Sequence, residues 1–272
     1  MDARLQRRIQ RYGWDRAAAD YEEYWRKQIE PAQARLLEMA ALRRGERVLD
    51  IACGTGLITF PAAISVGAEG SVVGTDISDG MIERGREEAA KRGLANVTFQ
   101  RVDAEALEFP ENSFDAALCS LGLMYVPEPL KALRLMRNSL KSGGRIAASV
   151  WGRRDRCGWA GIFPVVDARV KSEVCPMFFQ LGTADNLRTA LELGGFCDVQ
   201  VERLDTTLDY ASEEDAIGAA FAGGPVALAY AHFDAGTRED AHADYLDTIQ
   251  QYRHGAGYSI PGEFVVALAR KK

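Results

Sequence analysis

Three carboxylates stand where three apolar runs end. Asp50 lies inside VLDIA just before the turn ACGTG, Asp76 closes SVVGTD, and Asp103 closes VTFQRVD. A carboxylate beside a turn repels a pyrophosphate and favours an amine or a cation. Asp76 follows the last glycine of the turn by about twenty residues, the spacing at which an acid accepts both hydroxyls of a ribose. Asp103 can accept a hydrogen bond from an exocyclic amine. Gly54 and Gly56 can adopt backbone angles barred to other residues and let a ligand approach the main chain closely. Any one of these acids could cap a helix, but three at successive strand ends form a binding edge.

The turn itself excludes two phosphate sites. A dinucleotide turn needs G-x-G-x-x-G, and Thr59 occupies the third glycine position; a phosphate loop needs a Lys-Ser or Lys-Thr pair after the glycines, and none follows. A ligand without phosphates that offers an amine, a ribose and an adenine is S-adenosylmethionine. Two other classes stay open: an NAD(P)-dependent oxidoreductase on a similar sheet, and a non-catalytic S-adenosylmethionine-binding protein.

Positioning those acids requires a parallel sheet. Five short apolar runs, RVLDIA, SVVGTDI, VTFQRVD, FDAALCSL and GRIAASVW, alternate with helical stretches and are separated by turn residues. CDVQVERLDTTLDY and EFVVALARKK read as later strands, the last one antiparallel. The fold class is therefore α/β, Rossmann-like and mostly parallel, with helical lid additions. Residues 1–44 read as an N-terminal helical lid, with Pro31 suiting the start of a second helix. Residues 45–272 form the ligand-binding domain, with helical additions near 152–182 and 213–255.

Composition narrows the classes further. With 272 residues and 47% hydrophobic content the chain can bury a sizeable core, and its net charge of −6 supplies no basic field for nucleic acid. Charge is uneven along the chain: residues 1–44 carry ten basic and seven acidic side chains, and residues 205–247 carry ten acidic ones against one arginine. Solvated helical faces account for this, and docking of the two segments across the site is the sharper alternative. Five cysteines without a CxxC pair argue against a disulfide framework or a thiolate metal site and fit a reducing cytoplasm. No apolar run has the length of a signal peptide core or a bilayer span, so a soluble, unprocessed protein is expected; its oligomeric state, monomer or homodimer, is left open by the sequence.

VLDIACGTG, GTDIS, RVDAEAL, FDAALCSLGLMYVPEP and KSGGRIAASVWG, in that order, resemble the successive motifs of class I S-adenosylmethionine-dependent methyltransferases. Within that class they are similar to the small-molecule branch that includes ubiquinone and menaquinone biosynthesis methyltransferases. The resemblance covers about residues 45–152. It implies that Gly54 and Gly56 contact the methionine part and that Asp50 organises that region. It implies further that Asp76 holds the ribose, Ile77 lies against the adenine, Asp103 takes the adenine amine, and the Ala104 backbone meets the ring. Cys119 or Ser120 would offer a backbone carbonyl to the ammonium, and Ala52 and Met81 complete the implied set. The implied product is S-adenosylhomocysteine.

Methyl transfer is an in-line displacement in which orientation supplies much of the acceleration. A base is needed only for a protonated nucleophile. The histidines are His232, His242 and His254, and His254, just before the last strand, is the first choice. Tyr21 and Trp25, from YEEYW, are candidate lid and chamber walls. Met124 and Tyr125 follow the fourth strand, where relatives often carry histidines or aromatics. Trp159, Phe163, Met177, Phe178 and Phe179 could line an apolar pocket for a small aromatic or lipophilic acceptor.

Overall fold

The computed structural model describes residues 3–170 and 178–272. Met177 and Cys175 lie outside them. Helices α1 (Ala3–Ala17) and α2 (Tyr21–Ala40) precede strand β1 (Arg47–Ile51). There follow α3 (Thr59–Val66), β2 (Ser71–Asp76), α4 (Asp79–Arg92), β3 (Val97–Arg101), β4 (Phe114–Ser120), α5 (Pro129–Ser139) and β5 (Leu140–Trp151). The remainder comprises α6 (Ile162–Asp167), α7 (Asn186–Leu193), β6 (Cys197–Tyr210), α8 (Glu213–Ile217), α9 (Ala227–Tyr230), α10 (Ala235–Ile249), β7 (Arg253–His254) and β8 (Gly257–Arg270).

The strands form one sheet in the order β3-β2-β1-β4-β5-β8-β6, with β7 paired to β8. Strands β1 to β5 are mutually parallel, and β8 runs antiparallel between β5 and β6. The order reverses between β1 and β4, so a crevice opens at their carboxyl ends. The antiparallel strand expected at the end of the chain is β8.

Period-two alternation sends neighbours on β1 to opposite layers. Val48 packs with Leu36, Ala62 and Val66 beneath α2 and α3, while Leu49 and Ile51 join Leu133, Met136 and Leu191 beneath α5 and α7. Each fully buried aliphatic of this kind contributes about 1.5–3 kcal/mol relative to exposure. Asp50 falls on the α3 side, and that register places a carboxylate under a helix start.

The expected helix boundary at Pro31 is not where the chain breaks. Helix α2 runs through Pro31, and the interruption falls at Ala18–Asp20. Ile29, Ala32 and Leu36 are buried on one face of α2, and this packing offsets the hydrogen bond that the proline cannot donate. The second half of α2 therefore belongs to the core. Only α1 and the first turns of α2 approach the crevice.

Candidate functional site

The turn after β1 is held by Asp76. Its Oδ2 accepts the Gly54 N–H at 3.0 Å and its Oδ1 accepts the Ser78 N–H at 2.9 Å, so the acid at the end of β2 fixes the glycine turn and the start of α4 together. Ser78 caps α4 by accepting the Met81 N–H at 3.1 Å. Burial pushes the Asp76 carboxyl up to about 6, against the pull of these N–H donors. Each oxygen has a lone pair left for a further donor.

Asp50 is 1% exposed and lies behind the turn. Thr59 Oγ1 donates to its Oδ2 at 2.6 Å, whereas Oδ1 has no donor among the described residues. Burial, with the Asp76 charge adding to it, raises Asp50 to about 7. Thr59 thus has a positive role at the position where a dinucleotide turn carries glycine.

The backbone at the switch point is strained on both sides. Ala52 and Leu121, directly after β1 and β4, have φ of 54° and 56°, an unusual region for residues with a Cβ. Gly122 makes the close approach possible, because a Cβ there would stand 2.4 Å from that of Ala52.

One cleft is lined by Ala52, Gly54, Asp76, Ile77, Met81, Asp103, Ala104 and Ser120, all of which the sequence singled out. Three others stand outside its wall. Asp50 lies beneath it, Cys119 is buried with its thiol raised to about 12 by desolvation, and Gly56, at φ 99°, faces Phe60, whose ring would be 2.7 Å from an added Cβ. Asp103 also caps a short turn, its Oδ1 accepting the Glu105 N–H at 2.9 Å.

The other wall comes from α1, whose Arg7, Gln10 and Trp14 project from one helix face into the cleft. Arg7 Nη1 donates to the buried Glu105 carboxylate at 2.8 Å, Arg11 Nη2 donates to Asp79 at 2.6 Å, and Asp15 Oδ1 accepts from Ser78 Oγ at 2.6 Å and Gly80 N–H at 3.0 Å. These contacts strap α1 to the loops that carry Asp76 and Asp103. The sequence did not reveal them, because the inward stripe of α1 is largely polar and lacks apolar periodicity.

A second, aromatic chamber, narrow in this structure at about 30 Å³, adjoins the cleft and shares Trp14, Tyr21, Leu121 and Tyr125 with it. Trp25, Ile29, Met124, Trp151 and Trp159 complete most of its wall. Trp25 lines this chamber and not the cleft; its Nε1–H donates to the Ala219 carbonyl at 3.2 Å, and its ring meets Trp159 at 5.9 Å. Burial and the nearby Asp76 raise the Tyr21 hydroxyl pKa. Phe178 packs behind Tyr125 and Trp159, and Phe163 and Phe179 extend the same ring cluster without facing the chamber.

His254 requires correction as a candidate base. It is exposed on the two-residue strand β7 and borders a separate groove with Tyr24, Lys27 and Asp215. The hairpin to β8 carries it away from the switch point. His242 hydrogen-bonds Tyr230 at 2.9 Å and His232 bonds the Leu228 carbonyl at 2.8 Å, and neither lines the cleft or the chamber.

Residues 42–175 match the methyltransferase domain family. The aklanonic acid methyltransferase DauC of Streptomyces sp. (strain C5) is 41% identical over 134 residues, which are 49% of this chain and 61% of that protein. The ubiquinone/menaquinone biosynthesis C-methyltransferase UbiE of Yersinia enterocolitica is 45% identical over 111 residues, 40% of this chain and 44% of its own. The chain therefore spans only about half the length of the curated relatives it matches. Among solved structures, the YcgJ protein from Bacillus subtilis superposes with a TM-score of 0.63 at 19% identity, covering 89% of this chain and 99% of that one, a likeness of fold. The parallel sheet with its crevice between β1 and β4 lies within the matched residues 42–175, so this part of the chain is similar in both sequence and architecture to a methyltransferase domain.

Proposed function

We propose that the chain is an S-adenosylmethionine-dependent methyltransferase acting on a small aromatic or lipophilic acceptor. The observation that carries this is the junction of two unlike cavities at Tyr21, Leu121 and Tyr125: a carboxylate-edged cleft and a chamber walled by aromatic rings. The cleft fits the cofactor by its donor set. Asp76 has acceptor capacity for two ribose hydroxyls, Asp103 can accept from the adenine amine beside Ala104 and Ile77, and the Ser120 carbonyl can accept from an ammonium. Asp50, buried behind the turn with its Oδ1 undonated, would add negative charge near the methionine end once ionised, above its raised pKa of about 7. Bound there, the cofactor would supply an electrophilic methyl group on a sulfonium.

The protein's part is then to hold, orient and dry the reactants. Alignment of this kind supplies roughly 7–11 kcal/mol in favourable cases. Helix α1 and Tyr21 close the cleft, and the rings of Trp14, Tyr125 and Trp151 keep the chamber apolar. Among the chamber's described lining residues there is no histidine, carboxylate or amine, and Tyr21 holds its proton more tightly than usual. A nucleophile that needs no protein base suits this wall: an acidic phenol, a carboxylate or a stabilised carbanion. DauC is named for aklanonic acid and UbiE for ubiquinone and menaquinone biosynthesis and C-methylation. A ring-bearing acceptor for this chain is consistent with both.

Calorimetric titration with S-adenosylmethionine, S-adenosylhomocysteine and NADH tests the cofactor first, and radiolabelled methyl transfer to a panel of phenols, aromatic acids and carbon acids tests the acceptor. Binding of NADH with none of the two methionine derivatives would refute the proposal. Tight binding of both without transfer to any acceptor class would favour a non-catalytic binding protein.

A further inference from the structure

The chamber wall holds a fully buried polar group that methyl transfer as described leaves idle. Trp159, on the turn Gly158–Gly161, is 3% exposed, and its ring packs edge-on against Trp25, Trp151 and Phe178 at 5.9, 4.9 and 5.6 Å. Its Nε1–H has no acceptor among the described residues. Two neighbouring polar atoms of the same wall are engaged: Trp25 Nε1 donates to Ala219, and Met124 Sδ accepts the Trp151 N–H at 3.5 Å. An indole N–H can only donate, and buried donors in folded proteins are nearly always partnered. Phenylalanine would fill such an apolar wall without this cost.

We propose that Trp159 is a specificity-determining donor: its Nε1–H receives an oxygen of the methyl acceptor, a carbonyl, carboxylate or phenolate, once the acceptor parts the chamber rings. The hydrogen bond fixes which edge of the acceptor points to the back of the chamber and hence which atom faces the shared mouth at Tyr21, Leu121 and Tyr125. The proposal rests on the chamber being the acceptor site. No covalent change involves the indole, which acts only by binding and orienting.

Two probes of nearly the same shape, acetophenone and α-methylstyrene, differ by a carbonyl oxygen against a methylene. Their affinities are measured on the full chain saturated with S-adenosylhomocysteine, whose own binding is recorded first, and on Trp159→Phe treated identically. Transfer from water to an apolar wall favours α-methylstyrene, so a preference for acetophenone requires a donor. The unaltered chain should bind acetophenone about fivefold more tightly, and Trp159→Phe should lose that preference. In the indole proton–nitrogen spectrum, the resonance missing from Trp159→Phe should be the one that acetophenone moves downfield. Equal affinity for the two probes in the unaltered chain overturns the proposal whether or not the variant folds, as does a preference that survives in the variant. Failure of S-adenosylhomocysteine to bind the unaltered chain would overturn the methyltransferase reading and this proposal with it.

Discussion

Replacing Asp50 with asparagine should make the ligand-free protein more stable at pH 8 while loosening its hold on the cofactor. Asp50 is raised from 3.8 to about 7, chiefly by burial, with the charge of Asp76 adding to the shift and the Thr59 hydroxyl opposing it. Between those two values the folded protein keeps a proton that the unfolded chain has released. Stability therefore falls as pH rises through that window and stays low above it. About three pKa units correspond to ~4 kcal/mol at pH 8. Asparagine does not titrate, and its carbonyl can keep the Thr59 hydrogen bond, but its amide replaces an oxygen that has no donor and leaves a buried donor short of a partner, at about 1–3 kcal/mol. The net gain at pH 8 is then about 1–3 kcal/mol, and below pH 5 the variant should be the less stable protein. Urea unfolding of both proteins from pH 4.5 to 8.5 (roughly the span of the linkage) measures the difference curve. Parallel curves would refute the assignment of a proton to buried Asp50. At pH 8 the variant should bind S-adenosylhomocysteine about tenfold more weakly, since an ionised Asp50 attracts the ligand's ammonium.

Other perturbations follow from the same geometry. Gly122→Ala places a Cβ 2.4 Å from that of Ala52, so it should cost about 1–3 kcal/mol in thermal unfolding and weaken cofactor binding by forcing the two switch-point turns apart. Arg7→Ala removes the Nη1 contact to Glu105, whose side chain is 1% exposed, and should loosen α1 by about 1–2 kcal/mol; amide exchange over residues 3–17 and the S-adenosylhomocysteine dissociation rate should both rise, and unchanged exchange would show that the strap is idle. His254→Ala should leave cofactor binding and methyl transfer within about twofold at every pH, because the side chain is exposed in a different groove; a pH-dependent loss of rate would restore it as a base.

How far the sequence reveals this site depends on how local each interaction is. The five parallel strands and the acids Asp76 and Asp103 were legible because strand length, turn residues and strand-end position are written in short segments. Asp50 was found by the same route, but its partner was not: Thr59 reads as a missing glycine until β1 and the start of α3 stand face to face. Ala52 and Leu121 carry positive φ that their side chains do not advertise, and only the packing of Gly122 against Ala52 makes the need for that geometry visible. The aromatic chamber draws on residues 14–29, 121–125, 151–159 and 224–225, which no sequence periodicity connects. His254 was favoured by residue type and closeness to the last strand, but antiparallel pairing of β7 with β8 carries it to another groove.

This asymmetry has a physical origin. A cofactor used at strand ends is recognised by backbone and acids that the sheet must place anyway, so its contacts recur at fixed offsets along the chain. An acceptor is enclosed by whatever the helices bring over the sheet, and α1 contributes Trp14 through a strap of ion pairs whose partners lie more than sixty residues away, at Asp79 and Glu105. Changing those partners should therefore raise the acceptor KM by more than it weakens S-adenosylhomocysteine binding, because α1 supplies one wall of the cleft while the β1 turn is held by Asp76. Steady-state KM for the acceptor against the binding constant for S-adenosylhomocysteine, compared across Arg7→Ala and Arg11→Ala, would show the separation; loss of both by the same factor would refute it and mean that the two cavities cannot be tuned apart.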